Sequence, residues 1–206
     1  MKTFRPALLL VTFILAGCAG SSSQPEQAST STWWNPISWS WSSLSPVRWF
    51  SSSLTLSEQG LGDVNGTTLM QRDVLNDALD DRYYLRRGVR TADGNIVHFW
   101  QGVNSDKQVK VELVGDSAVS RIDVMDSDVS TASGVKFGSS FSELYSKAFG
   151  VCQKGSGADS ASVECKAPGS QHISYVYSGD WHGPQGLMPS DDMLKSWTLS
   201  KMIWRR

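Results

Sequence analysis

Residues 83–100 read YYLRRGVRTADGNIVHFW. Two runs rich in aromatic and β-branched residues, 83–89 and 96–100, flank Asp93-Gly94, a dipeptide that accepts the positive φ angles of a two-residue hairpin turn. The stretch predicts an antiparallel hairpin, and the chain on both sides extends it. Residues 108–114 and 118–125 alternate apolar and polar side chains around Gly115-Asp116, which makes a meander. Upstream, Leu54-Thr55-Leu56-Ser57 alternates in the same way, and Gly60, Gly62 and Gly66 loosen the chain beyond it. Downstream, 172–177 and 197–204 read as closing strands around a Gly/Pro-rich loop, 178–190.

Two helices are expected beside these strands. Thr68-Leu69-Met70-Gln71 fits a capping box, and Leu69, Val74, Leu75, Ala78 and Leu79 form a rough helical stripe reaching 81. Ser139 or Ser140 caps a second helix over 141–150, with Glu143 near its first turn. Phe141, Leu144, Tyr145 and Ala148 form its apolar face, and Gly150 ends it. The expected fold class is α+β: a single domain over 54–206, with an antiparallel meander sheet and two helices packed on it. No internal repeat is present.

The N-terminus has a different character. Lys2 and Arg5 precede the apolar run ALLLVTFILA at 7–16, which falls well short of the roughly 20 residues needed to span a bilayer. Leu15-Ala16-Gly17-Cys18 closes the run as a lipobox. Small residues at 16 and 17 admit a peptidase, and Cys18 offers the thiol that receives diacylglycerol. Residues 1–17 are therefore expected to be a cleaved lipoprotein signal peptide, with the mature chain beginning at lipid-modified Cys18 and anchored in the membrane. Ala19 stands where an Asp would signal inner-membrane retention, so the default address is the outer membrane, with the body facing the periplasm. Several buried acyl chains, at about 0.8 kcal/mol per methylene, hold such an anchor for long times.

Residues 18–53 carry the lipid and then run as a Ser-, Thr-, Gln- and Pro-rich tether charged only at Glu26 and Arg48. As a flexible chain it would span roughly 30–35 Å. Five of the nine tryptophans lie here, at Trp33, Trp34, Trp39, Trp41 and Trp49. They suit a membrane interface, where an indole is half immersed and its N–H stays wet. Packing onto the body or onto a partner are the competing readings.

Loss of residues 1–17 removes two of the 19 basic residues and none of the 20 acidic ones, leaving 17 against 20, a formal −3. That balance is too mild for a nucleic-acid partner. With Cys18 committed to lipid, Cys152 and Cys165 form an even pair in an oxidising compartment, and a disulfide between them is expected. The competing reading is a cysteine nucleophile served by His172, which requires a free thiol.

The chain contains no His-Glu-x-x-His, no Cys-x-x-Cys, no phosphate loop and no Gly-x-Ser-x-Gly elbow. No catalytic set, metal-ligand set or cofactor is expected. Asp123, Asp126 and Asp128 lack the Gly and closing Glu of a calcium loop and read as solvated acids at a strand end. Lys195, Lys201, Arg205 and Arg206 read as a solvated strand edge. His98 and His172 sit in strand-like sequence. Trp181 and His182, in the loop from 178 to 192, are the candidate binding surface, since loops carry binding residues disproportionately. Alternatively, Trp181 seals one end of the core.

A family resemblance rests on particular phrases. They are Arg121-Ile122-Asp123-Val124 with Asp126-Ser127-Asp128, the run 141–150 leading to Cys152-Gln153, Glu164-Cys165-Lys166, the runs 169–175 and 186–192, and Ile203-Trp204-Arg205-Arg206. In these the chain resembles the enterobacterial lipoproteins placed under the envelope-stress sigma factor, sigma-E. The resemblance implies an outer-membrane lipoprotein made in greater amount under stress, with a body of unknown function and no assigned catalytic residue. The leading expectation is a non-enzymatic lipoprotein that binds another envelope component. The alternatives are a hydrolase or transferase of peptidoglycan or lipid using His182, Asp180 and Asp191, and a carrier of a small lipophilic ligand inside the fold.

Overall fold

A computed structural model describes residues 54–206 apart from Asp93 and Gln185. The expected signal peptide, the expected lipidation site Cys18 and the expected tether with Trp33, Trp34, Trp39, Trp41 and Trp49 lie outside the described residues.

In chain order the strands are β1 (Thr55–Ser57), β2 (Gly60–Leu61) and β3 (Val64–Asn65), followed by helix α1 (Arg72–Ala78). Then come β4 (Tyr84–Ala92), β5 (Asn95–Val103), β6 (Val109–Val114), β7 (Arg121–Val124) and β8 (Ser130–Thr131). Helix α2 (Phe141–Leu144), β9 (Cys152–Lys154), β10 (Val163–Lys166), β11 (Ile173–Ser178), α3 (Asp191–Leu194) and β12 (Thr198–Arg205) complete the body.

Eight strands form one sheet in the order β4-β5-β6-β7-β12-β11-β10-β9. Two four-stranded meanders thus run inward from opposite edges and meet where β12 pairs antiparallel with β7, from Met202 opposite Val124 to Arg205 opposite Arg121. The expected hairpin is the longest pairing, nine residues on each side. Ala92 faces Asn95 across the two-residue turn, and Gly94 takes φ 78°. A second sheet, β3-β2-β1-β8, includes a parallel pair, β1 with β8.

Strand alternation sorts the large sheet into two faces. Leu85, Val111, Leu113, Ile122, Val124, Cys165, Tyr175, Tyr177, Met202 and Trp204 point to one side and are buried. Leu56, Leu61 and Val64 of the small sheet, Leu75 and Leu79, Phe141, and Leu194 with Trp197 join them in a single core. Trp204 Nε1 donates to the Glu58 carbonyl at 2.9 Å, tying β12 to the β1–β2 turn.

The helical content is smaller than expected, and the domain is mostly β with three short helices. Gln71 rather than Thr68 occupies the N-cap position of α1, with no side-chain capping bond, and Thr68 Oγ1 instead accepts from Asn65 N–H at 2.9 Å. The helix ends at Ala78, and Asp80 and Asp81 take left-handed φ angles of 55° and 53°. Of its expected stripe, Leu69 and Val74 are exposed. Helix α2 begins as foreseen, with the Glu143 carboxylate accepting from Ser140 N–H at 3.1 Å, but it lasts four residues instead of ten. Tyr145 is extended because its hydroxyl donates to the Lys166 carbonyl at 2.8 Å and its ring stacks on Phe141 at 5.1 Å. Those contacts draw the chain onto the sheet and break the helix. The third helix, α3, was not foreseen. Its signal is Ser190-Asp191-Asp192, a capping serine followed by acids that suit a helix N-terminus.

Gly60 does not loosen the chain. It lies in β2 with φ 145°, and a Cβ there would run into the Val64 carbonyl, so the tight β2–β3 turn requires glycine.

Candidate functional site

The opposite face of the large sheet is the polar one, and it is not simply solvated. Gln101, Glu112 and Asp123 stand in line across β5, β6 and β7. Glu112 is 9 % exposed and Asp123 is 5 % exposed. Two carboxylates directly opposite each other on neighbouring strands repel, and burial strengthens the repulsion. Each is held by an arginine. Arg90 Nη1 donates to Glu112 Oε1 at 2.5 Å, Gln101 Nε2 donates to Glu112 Oε2 at 3.0 Å, and Arg121 Nε donates to Asp123 Oδ1 at 2.6 Å.

Arg90 reaches Glu112 only because the hairpin bends. Arg86 is the β4 residue in line with Gln101, and four residues of strand separate Arg90 from it by about 13 Å in a flat sheet. The far end of the β4–β5 hairpin therefore leans over the polar face. Gly88 permits the bend at its base. It faces Phe99 in the register, and a Cβ at 88 would run into the Phe99 ring. With that position bare, the ring lies across β4 and supports the Arg90 guanidinium, 4.8 Å from its centroid.

The opposite wall comes from the loop between β9 and β10. Lys201 of β12 binds both carboxylate oxygens of Asp159 at 2.7 and 2.8 Å, which holds the turn at Ser156–Asp159 over the sheet. Between the two walls is a cleft of about 700 Å³, with Gln101, Glu112, Asp123, Val109 and Met125 on its floor. Beside it, Arg205 grips Glu164 with two hydrogen bonds at 2.6 and 3.1 Å.

The electrostatics of the two pairs differ. Burial pushes the Asp123 carboxyl above the usual carboxylate range, and Arg121 offsets this only in part. At Glu164 burial acts in the same direction, but the bidentate Arg205 outweighs it and holds the carboxyl below that range. A raised carboxyl favours the folded state as pH falls into the window between its folded and unfolded values. A lowered one loses its contribution there. Asp123→Asn and Glu164→Gln should consequently respond to pH in opposite ways. Melting from pH 7 to pH 4 should show wild type gaining on Asp123→Asn, and losing its advantage over Glu164→Gln. That advantage should be no more than about 1 kcal/mol at neutral pH, because Arg205 is partly screened by solvent. Parallel shifts in the two variants would contradict the assignment.

Residues 38–206 match the family model described as "Protein of unknown function (DUF1131)". The chain belongs to this family. It is 48% identical over 206 residues, the full length of both chains, to "Uncharacterized protein YfeY" of Escherichia coli strain K12. It is also similar to the crystal structure of the uncharacterized protein yfeY from Escherichia coli, with a TM-score of 0.69 and 54% identity over 74% of this chain and 99% of that one.

In this DUF1131 chain the residues singled out from sequence are scattered. Trp181 is half-buried against the core rather than presented to solvent, and its Nε1 is buried without a hydrogen-bond partner. That placement favours its reading as a seal. His182 and Asp180 are exposed, and Asp191 is engaged structurally, since its Oδ1 accepts from Ala148 N–H at 2.8 Å. Cys152 and Cys165 face each other on β9 and β10 and are joined in a disulfide, which removes the thiol that a His172-served nucleophile would need. His172 itself bonds the Arg205 carbonyl through Nδ1 at 2.7 Å.

Two expectations are corrected outright. Asp123 and Asp126 are buried rather than solvated, Asp126 accepting from Tyr83 Oη at 2.7 Å. Lys201 and Arg205 lie on a central strand in ion pairs, not on a solvated edge. No group of three metal-ligating side chains occurs among the described residues. Sequence reasoning missed Gly88, Arg90, Glu112 and Asp159. Gly88 was the one available signal, since a glycine inside a strand often marks a close approach.

Proposed function

We propose that this protein is a non-enzymatic lipoprotein of the outer membrane, anchored by acyl chains on Cys18, whose body binds another envelope component in the ion-paired cleft. The observation that carries the reading is the pairing itself. Every charged side chain lining the cleft is held by a partner of opposite sign. Groups fixed in this way are preorganised to recognise polar ligands rather than to shuttle protons. Supporting the address are the lipobox Leu15-Ala16-Gly17-Cys18 and the short apolar run before it. The family resemblance adds synthesis under sigma-E, so that transcript levels should rise when the envelope is stressed.

The test is in-cell crosslinking from a photoreactive residue at Thr91, an exposed position on the cleft wall, in wild type and in Cys18→Ser. A discrete adduct is expected in wild type. Cys18→Ser should leave the outer-membrane fraction and lose the adduct where the captured component resides in that membrane. Retention of a mature Cys18→Ser body in the outer membrane overturns the anchor, and the absence of any adduct from Thr91 overturns the cleft as binding surface.

A further inference from the structure

We infer that the cleft receives the head of an α-amino acid, its ammonium beside Asp123 and its carboxylate on Arg121. The inference rests on the reading of the cleft as a binding site and names what that site would take.

The uncommitted hydrogen-bonding capacity on the cleft floor carries the argument. Glu112 uses both of its oxygens, one for Arg90 and one for Gln101. Asp123 receives a donor only at Oδ1, from Arg121 Nε, and no donor is directed to Oδ2 among the described residues. Arg121 in turn gives only Nε and keeps both Nη groups uncommitted. One ion pair therefore offers a spare carboxylate oxygen next to two spare guanidinium nitrogens. A planar carboxylate matches two guanidinium N–H groups side by side, and an ammonium donates well to a carboxylate oxygen. An α-amino acid presents both groups one carbon apart.

Charge balance selects the same ligand. Arg90, Arg121 and Lys201 are offset on the lining by Glu112, Asp123 and Asp159. A lone anion or cation entering this recess would leave an uncompensated charge among half-buried groups, whereas a zwitterion leaves none. An ammonium near Asp123 also offsets the repulsion between Asp123 and Glu112, which face each other on adjoining strands. The cleft's volume of about 700 Å³ exceeds what the head group needs, and Val109 and Met125 offer apolar surface to a side chain.

The experiment is calorimetric titration of the full-length chain in detergent with racemic leucine, 4-methylpentanoate, isopentylamine and ethanolamine phosphate. The second and third probes are leucine without its ammonium and without its carboxylate. Saturable binding of leucine is expected, with each truncated analogue at least tenfold weaker and ethanolamine phosphate weaker still. Asp123→Asn should weaken leucine at least fivefold. Arg121→Lys, which keeps the charge and removes the spare nitrogens, should do the same, while the remote Asp192→Asn should not. Folding of each variant is checked by its melting curve. Equal binding of leucine and either analogue, preference for ethanolamine phosphate, no binding of leucine, or undiminished binding by both cleft variants overturns the inference. A Thr91 adduct in cells together with no leucine binding overturns the ligand class and leaves the cleft standing. The loss of both removes the binding reading as well.

Discussion

Replacing Trp197 by alanine is expected to destabilise the folded body by about 3–5 kcal/mol, the range for large-to-small changes in a packed interior. Trp197 is 2 % exposed and lies at the junction of three elements. Its N–H donates to the Leu194 carbonyl of α3 at 2.9 Å, and its carbonyl accepts from Phe141 N–H at 2.8 Å, at the start of α2. The indole packs beneath Gly179, where a Cβ would strike it, so the turn leaving β11 is shaped to the ring. Removing the ring strips one end of the core from both short helices, and neither has enough turns to persist alone. For a body of this size the change corresponds to a fall in melting temperature on the order of 10 °C. Thermal unfolding followed by circular dichroism would measure it, with Trp181→Ala as the comparison. Trp181 is only half-buried and should cost clearly less. Equal losses in the two variants would mean that the loop after β11 belongs to the core as fully as Trp197 does.

Loss of the disulfide is expected to cost roughly 3 kcal/mol, the chain-entropy figure for a small loop. Cys152 and Cys165 lie opposite each other, 13 residues apart in sequence, and Cys165 is fully buried. The effect should be local as well as global. β9 has three residues and pairs only with β10, so at the rim of the sheet the covalent link replaces a second neighbour. The loop that it closes carries Asp159, one wall of the cleft. The double variant Cys152→Ala/Cys165→Ala should melt well below wild type. A reductant should lower wild type to match it and leave the double variant unmoved. Hydrogen exchange should quicken in β9 and its loop before it does in β7 or β12. An unchanged melting temperature in the double variant would show that strand pairing alone holds this edge. Uniform loosening would show that the edge unfolds only with the whole.

The difference between the two halves of the large sheet shows what kinds of signal the sequence carries. Strands β4 to β7 were foreseen because each follows its neighbour through a short turn, and the alternation of Val109-Lys110-Val111-Glu112-Leu113-Val114 is visible without any partner. The hairpin of β9 and β10 was missed because its loop is rich in Gly, Ser and Asp, and three- and four-residue strands leave little periodicity to read. Helix α2 was overestimated for a related reason. Phe141, Leu144, Tyr145 and Ala148 do form a helical stripe, but Tyr145 gains more from the Lys166 carbonyl and the Phe141 and Tyr177 rings than from another helical turn.

Legible in the sequence alone were the hairpin over 83–100, the meander beyond it, the closing strands and the start of α2. All of these depend on interactions between residues close along the chain, where a side-chain period of two or a capping pair is already complete. That Glu112, Asp123 and Lys201 line a recess rather than a wet surface, with Arg205 ion-paired beside it, depends on packing between distant segments. Alternation assigns a residue to a face, and it says nothing about what covers that face. The insertion of β12 beside β7, the hairpin leaning back through Gly88 and the loop held by Asp159 bring together groups as far as 111 positions apart, from Arg90 to Lys201. Burial and charge pairing of that kind depend on solvent exclusion by distant segments, which no local pattern encodes.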